Sequence, residues 1–535
     1  MKRIPLSVVL TIILLLILMV HVNYLRFVCD DAFISFRYAK NFIQGQGLVY
    51  NIGERVEGYT NFLWTMLLSL FMGLGLNVVA VSQILGVSFS IATILLLLNL
   101  SRKLHPRDNI FNYLAPLFLV CCGAYAAWST GGLETSFYTF LVFMGSYLFI
   151  MGIKHPRYLI SAGIIFAFAS MTRLDGLIFS GITFVDMLYL ALFQKQIQRK
   201  SVVLSAICFL LPFLLYFLWR WSYYGELLPN TFYVKVGGYT LYHQGLSYLF
   251  DFVKRFWIWI FIIPLAFLPK AVKSNANLGI ITPYFVSLVL VFSMYVVYVG
   301  GDFMDMFRFL VPVLPFFFFL VQEGFRGMHY YFESIPDRRL SPDIKHQLKS
   351  HLPRSKRRRR ILTLAEISWI ILSTIVLAYP SKESNRQWNR NNIDSIGLLR
   401  EYSRWWTQVG LMFKQISKPG ESLSTSAAGA IPFYSELYTI DELGLTLRPY
   451  PDMKFIKIQR VGHQMRLTND FLAYLRPTYI VAHPQLRDQL EQPQIFDAAM
   501  ELVSAGYKWR VIQIEISETE TKYLYFLSTR SLDSD

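Results

Sequence analysis

The apolar residues of this 535-residue chain come in long blocks up to about residue 380, and then the blocks stop. A run of about 20 apolar residues crosses a bilayer as a helix, because in hydrocarbon each backbone N–H and C=O must be satisfied within the segment. The pattern therefore commits the first 380 residues to a helical bundle in lipid. Charged residues make up 16% of the chain, whereas a typical soluble domain carries about 25%. A water-soluble enzyme and a disordered chain are both excluded. The 44 Phe and 32 Tyr suit a bundle with aromatic belts at its interfaces.

Net charge is +16, but half of it lies in one stretch: residues 326–360 hold eleven Lys and Arg against three acids. Its densest part, Arg354–Arg360, directly precedes an apolar run. The positive-inside rule reads this as a cytoplasmic loop rather than a nucleic-acid surface. Four cysteines (Cys29, Cys121, Cys122, Cys208) fall in the apolar part and none in the last 155 residues, so the tail carries no disulfide.

Charge also sets the topology. Lys2 and Arg3 precede a first span at 6–27, with no small-residue cleavage site after it. Residues 61–74 are too few to cross, and a full span there would put Arg102, Lys103 and Arg107 outside. They read as a helix packed at the outer interface. Spans then fall near 79–100, 111–128, 135–153, 159–172, 176–194, 202–222, 255–269, 278–299, 307–325 and 361–379, and the basic residues collect in the inner loops. The expected architecture is a polytopic α-helical membrane protein of about eleven spans over 1–380, with a C-terminal extracytoplasmic α/β domain over 381–535. In that tail, 381–394 reads as a polar linker, 395–417 and 485–505 as helical, and Tyr479–His483, Arg510–Ile516 and Lys522–Ser528 as strands.

With this topology the unusual polar residues gather on one side. Asp30 and Asp31 end the first span, and Glu57 lies later in the same outer loop. Glu134, Asp175, Lys235, Asp302 and Arg308 fall in the next outer loops, beside glycines that let backbone approach a ligand closely. Acids have no topological duty, so six such clusters on one face point to polar chemistry there, fed by a lipid-borne substrate. No Cys/His set has metal-ligand spacing, and no cofactor is expected; an acidic pair such as Asp302 and Asp305 is the kind that could hold a divalent ion.

Several of these stretches resemble a known family. DDAFISFRYAKNFIQGQGLVYNIGERVEGYTNFLW (30–64), GGLET (131–135), TRLDG (172–176), YYGELLPNTFYVK (223–235), YVGGDFMDMFRFLVPVLP (298–315), SAAGAIPFYSELYTIDELGLT (426–446) and VGHQM (461–465) are similar to the mycobacterial terminal β-arabinofuranosyltransferase family, membrane glycosyltransferases of the GT-C fold. The chain departs from that pattern at Leu174, Ser426 and Leu447. The resemblance implies transfer of a sugar, arabinofuranose first among them, from a polyprenyl-phosphate donor to an extracytoplasmic glycan or glycolipid, in the inner (cytoplasmic) membrane. It implies a catalytic acid in the first outer loop, Asp30 or Asp31. Such chemistry needs a base for the acceptor hydroxyl and cations for the departing phosphate. Arg37, Lys235 and Arg308 are the candidates for the phosphate, and Glu57, Glu134, Asp175, Asp302 and His463 for sugar contacts. Two other readings compete: a lipid-linked-sugar transporter, and an envelope assembly protein whose tail binds a partner. A transporter places ionisable groups near mid-membrane and often shows related halves. An assembly protein leaves the Asp pair without a task.

Overall fold

The computed structural model describes residues 5–106, 110–236, 241–268, 278–334, 354–448, 453–460, 463–484, 486–490 and 500–530. Among these, six helices are long and apolar enough to cross a membrane: Leu6–Leu25, Val78–Leu104, Thr135–Gly152, Arg199–Tyr224, Leu278–Tyr298 and Arg308–Tyr331. Phe316 to Phe319 are all buried in the bundle core. By contrast, only 17% of the apolar window of Leu6–Leu25 is buried, so this helix lies at the rim with most of its surface toward lipid. Shorter apolar helices fill in: Arg157–Thr172 packs between Thr135–Gly152 and Arg199–Tyr224.

Phe62–Gly73 has 12 residues. At 1.5 Å per residue that is about 18 Å, too short for a hydrocarbon core of about 30 Å, and the helix packs instead on the preceding one, Asp30–Ile43. The expected span 111–128 is broken. Leu114–Cys121 ends at Cys122, whose ψ of 114° is extended, and a separate short helix, Gly123–Ala127, follows. The expected span 255–269 is likewise displaced. The helix runs Tyr242–Ile260 and buries one face (Gly245, Tyr248, Phe252, Phe256, Trp259), and only a 3-10 turn, Ile263–Phe267, follows it. Its 3.6-residue apolar stripe, rather than continuous hydropathy, is what marks it. The last expected span lies inside Arg354–Ser384, a 31-residue helix. Much of the basic loop before it, 335–353, falls outside the described residues.

The tail docks on the outer ends of the bundle. The expected linker is structured: Asn389–Arg390 and Ile393–Asp394 form a hairpin whose turn residues Asn391 and Asn392 have positive φ (53° and 61°). Asn tolerates that region, so the polar run makes a tight turn instead of a free connection. The hairpin is tied to the fifth outer loop, where Asp394 N donates to Phe303 O and Asp305 N to Asp394 O. Ile396–Ile416 follows, capped by Ser395, and covers a mixed sheet. The sheet order is Tyr438–Asp441, Ser422–Thr425, Tyr479–Ala482, Glu520–Ser528, Leu486–Arg487, with Lys508–Ser517 also on Glu520–Ser528. The first three strands are parallel and the rest antiparallel. The three expected strands are present. Of the expected helix over 485–505, Met500–Ser504 is helical, Leu486–Arg487 pairs into the sheet instead, and 485 and 491–499 lie outside the described residues.

Candidate active site

The first outer loop turns into a helix at Asp30, and both acids sit in its first turn, where carboxylates complement the helix dipole. The start of this helix is fixed by the Gly-Gly pair of the second loop. Gly131 O accepts from both Cys29 N and Cys29 Sγ, at 3.1 and 3.2 Å. Gly132 has φ +83°, and a Cβ there would meet the Ala32 Cβ at 2.8 Å. Only glycine allows this approach.

Asp30 and Asp31 line a cavity of about 190 Å³ between bundle and tail. The opposite wall is the tail. Ser426, Leu443 and His483 line the cavity, and each lies just past the carboxyl end of one of the three parallel strands. That is where open sheets with parallel strands place ligands. The tail also contributes Tyr402 and Trp406, stacked at 4.8 Å and 3°, the acid Asp394, and Arg466.

Asp30 is clamped by the tail. Its carboxylate accepts from Gly429 N (3.0 Å) and Ala430 N (2.7 Å). Burial pushes its pKa up to about 7; the two backbone donors work against the rise and the neighbouring Asp31 adds to it. A carboxylate poised near neutrality and facing a cavity is suited to take a proton. The fit leaves no room at Gly429, where a Cβ would overlap the Asp30 carbonyl oxygen. Gly429→Ala should therefore push the tail off Asp30. We expect about 1–3 kcal/mol of lost stability, as for other overpacked sites, and a shift of the Asp30 titration back toward ordinary carboxylates. A melting curve and the pH profile of activity check this; unchanged values in both would contradict the clamp.

Behind the acids runs a connected polar network. Arg308 holds Asp302 through Nε and Nη2 at 2.6 and 3.2 Å, and Asp31 and Glu134 lie within its electrostatic reach. Arg173 joins Glu134 (2.8 Å) to Asp175 (2.8 Å). Asn61 Nδ2 donates to Glu134 at 2.8 Å. Burial alone would raise the Glu134 pKa, but Arg173 and Asn61 outweigh it and hold the carboxyl below its ordinary range. Five of the expected site residues (Asp31, Glu134, Asp175, Asp302, Arg308) are thus brought together, with Arg173 as a hub that sequence reasoning did not single out. Its spacing two residues before Asp175 is the signal that was available.

Two expectations come out differently, and two more fall outside the described side chains. Arg37 is buried, and its Nε, Nη1 and Nη2 donate to the carbonyls of Tyr50 (2.7 Å), Pro432 (2.6 Å) and Leu437 (2.7 Å). It fastens loop to tail rather than facing a phosphate. Glu57 is paired with Arg220 at 2.6 Å and lines a separate cavity of about 570 Å³ with Glu226, Tyr233 and Arg448. Lys235 lies in the short helix Asn230–Val236 and His463 opens the strand His463–Leu467, but both side chains are outside the described residues. Among the described residues, no group of three or more His, Cys, Asp or Glu is arranged to hold a metal ion.

A structure of ArnT from Cupriavidus metallidurans bound to undecaprenyl phosphate superposes with a TM-score of 0.58 at 12% identity, over 97% of both chains. The chain has the ArnT fold. This is a GT-C architecture, helical in the membrane with a sheet-containing domain after it. By sequence, the chain is 26% identical over 252 residues to the terminal β-(1→2)-arabinofuranosyltransferase of Mycobacterium tuberculosis, covering 44% of this chain and 39% of the relative. It is 25% identical over 328 residues to the enzyme of the same name from Corynebacterium glutamicum, covering 54% and 46%. The matches thus span less than half the length of either relative. The family described as a domain of unknown function (DUF8728) matches residues 391–526, the tail of this GT-C chain.

Proposed function

We propose that the chain is an integral-membrane glycosyltransferase that moves a sugar from a polyprenyl-phosphate donor to a glycan or glycolipid acceptor on the extracytoplasmic face. The observation that carries this reading is the cavity holding Asp30 and Asp31, built jointly by the first outer loop and the carboxyl ends of the tail's parallel strands. An acid pushed up to about 7 there takes the acceptor proton, and the arginine network holds negative charge behind it. The similarity to two arabinofuranosyltransferases makes arabinofuranose the first donor sugar to try. A transporter is less well served, since the ionisable groups cluster at the outer helix ends.

The test is transfer by the purified full chain in sealed vesicles. Polyprenyl-phosphate arabinofuranose should serve as donor, and nucleotide sugars should not, because an outward site has no access to a cytoplasmic nucleotide pool. The acceptor should be glycosylated when added on the extracytoplasmic side of oriented vesicles. Turnover with nucleotide sugars alone, or with acceptor only on the cytoplasmic side, would reject the proposal.

A further inference from the structure

Transfer from a lipid phosphate leaves a phosphate whose charge needs a cation. The cations nearest the acids are held by other groups and do not line the cavity. Arg37 spends its three nitrogens on carbonyls, Arg308 is held by Asp302 through Nε and Nη2, and Arg173 spans Glu134 and Asp175. Among the described residues that line the cavity, Arg466 is the one Lys or Arg. It lies on the strand His463–Leu467, on the tail's side of the cavity.

Arg466 is also presented. Glu442, with 0% side-chain exposure, receives Arg466 Nε at 2.8 Å and Nη2 at 2.7 Å on one oxygen. Its other oxygen accepts from Ser424 Oγ at 3.0 Å, and its carbonyl accepts from Leu467 N at 2.8 Å. The carboxylate is therefore fixed on both sides, and one edge of the guanidinium is fixed with it. Yet 33% of the Arg466 side chain stays accessible. A buried ion pair seldom improves on apolar packing. A buried acid used to hold an accessible arginine at a cavity wall is an arrangement for binding an anion, and the planar fork suits phosphate.

We propose that Arg466, oriented by Glu442, binds the phosphate of the lipid carrier. This rests on the polyprenyl-phosphate reading and adds the tail as the source of the phosphate contact. It predicts that the tail selects the anionic form of the lipid.

Binding of undecaprenyl phosphate and of undecaprenol, its uncharged counterpart, to the purified full chain tests it. Wild type should prefer the phosphate. Arg466→Gln should weaken undecaprenyl phosphate at least tenfold and leave undecaprenol binding unchanged, in a folded protein whose melting temperature falls because buried Glu442 loses its cation. Glu442→Gln should weaken the phosphate less. If Arg466→Gln does not fold, Arg466→Lys is read instead: it keeps a point charge but loses the fork, so phosphate binding should fall while undecaprenol binding holds. A folded variant that binds both lipids as wild type does overturns the assignment of Arg466. A variant that loses both lipids equally makes the residue structural and overturns it too. If wild type itself does not prefer the phosphate, the lipid-phosphate reading fails and Arg466 falls with it.

Discussion

Asp30→Asn should leave a folded protein whose sugar transfer falls by about 10²–10⁴, the usual cost of losing a general base. The amide keeps the size of the carboxylate, and its oxygen can still accept from Gly429 N or Ala430 N. Its nitrogen cannot accept, so one backbone donor loses its partner, at about 1 kcal/mol. Donor binding should survive, because cations rather than this acid hold the phosphate. The pH profile supplies a second reading. Wild-type transfer should rise with pH through about 7, where burial has placed the Asp30 titration, and that inflection should vanish in the variant. Stability moves the other way. The folded protein holds the Asp30 proton more tightly than the unfolded chain, so the group's contribution is fully present below the ordinary carboxylate range and is lost as pH rises through about 7. Asp31→Asn should do less to the pH profile. Near wild-type transfer in both variants would remove the mechanism's main support.

The second large effect is on stability. Glu57 and Arg220 are 3% and 1% exposed and meet at 2.6 Å. Burial pushes the Glu57 pKa up even against Arg220, which shows how costly the site is for a lone charge. Glu57→Leu strands the guanidinium and should cost about 3–5 kcal/mol, and Arg220→Met should cost a similar amount. The double replacement should recover most of this, because an apolar pair has no charge to desolvate. Recovery should stop short by about 1 kcal/mol, since the Leu227 carbonyl loses the Arg220 Nη1 donor it holds at 2.7 Å. Unfolding of the four proteins in one detergent measures this. Simple additivity of the two single costs would mean that the residues do not act as a pair.

The parts of the fold that depend on hydropathy were legible in the sequence. Residues 61–74 read as an interfacial helix from charge placement alone, and Phe62–Gly73 is too short to cross. The tail's long strands were visible from their β-branched and aromatic runs. Breaks and amphipathic faces were not: only Gly123 marks the break at Cys122 within a long apolar run, and Tyr242–Ile260 hides its stripe among Asp251, Lys254 and Arg255. At the site, the grouping of Glu134, Asp175, Asp302 and Arg308 followed from topology, because all lie at outer helix ends. The duties of Arg37 and Glu57 did not. Arg37 finds the Pro432 and Leu437 carbonyls 395 and 400 positions away, and Arg220 sat unnoticed near the end of an apolar run. Ser426, Leu443 and His483 reach the cavity only because parallel strands end there, and parallel pairing is invisible to local periodicity.

Asp30 takes its two backbone donors from positions 399 and 400 residues further along the chain. During synthesis that distance is time. At roughly 5–20 residues per second, about 20–80 s separate the making of the acid from the making of the groups that clamp it. Throughout that interval the first outer loop carries an ordinary solvated carboxylate, and the cavity has only one wall. The raised pKa of Asp30 and the second wall of the cavity thus come into being together, and only once the chain has been made past Ala430 and the tail has docked.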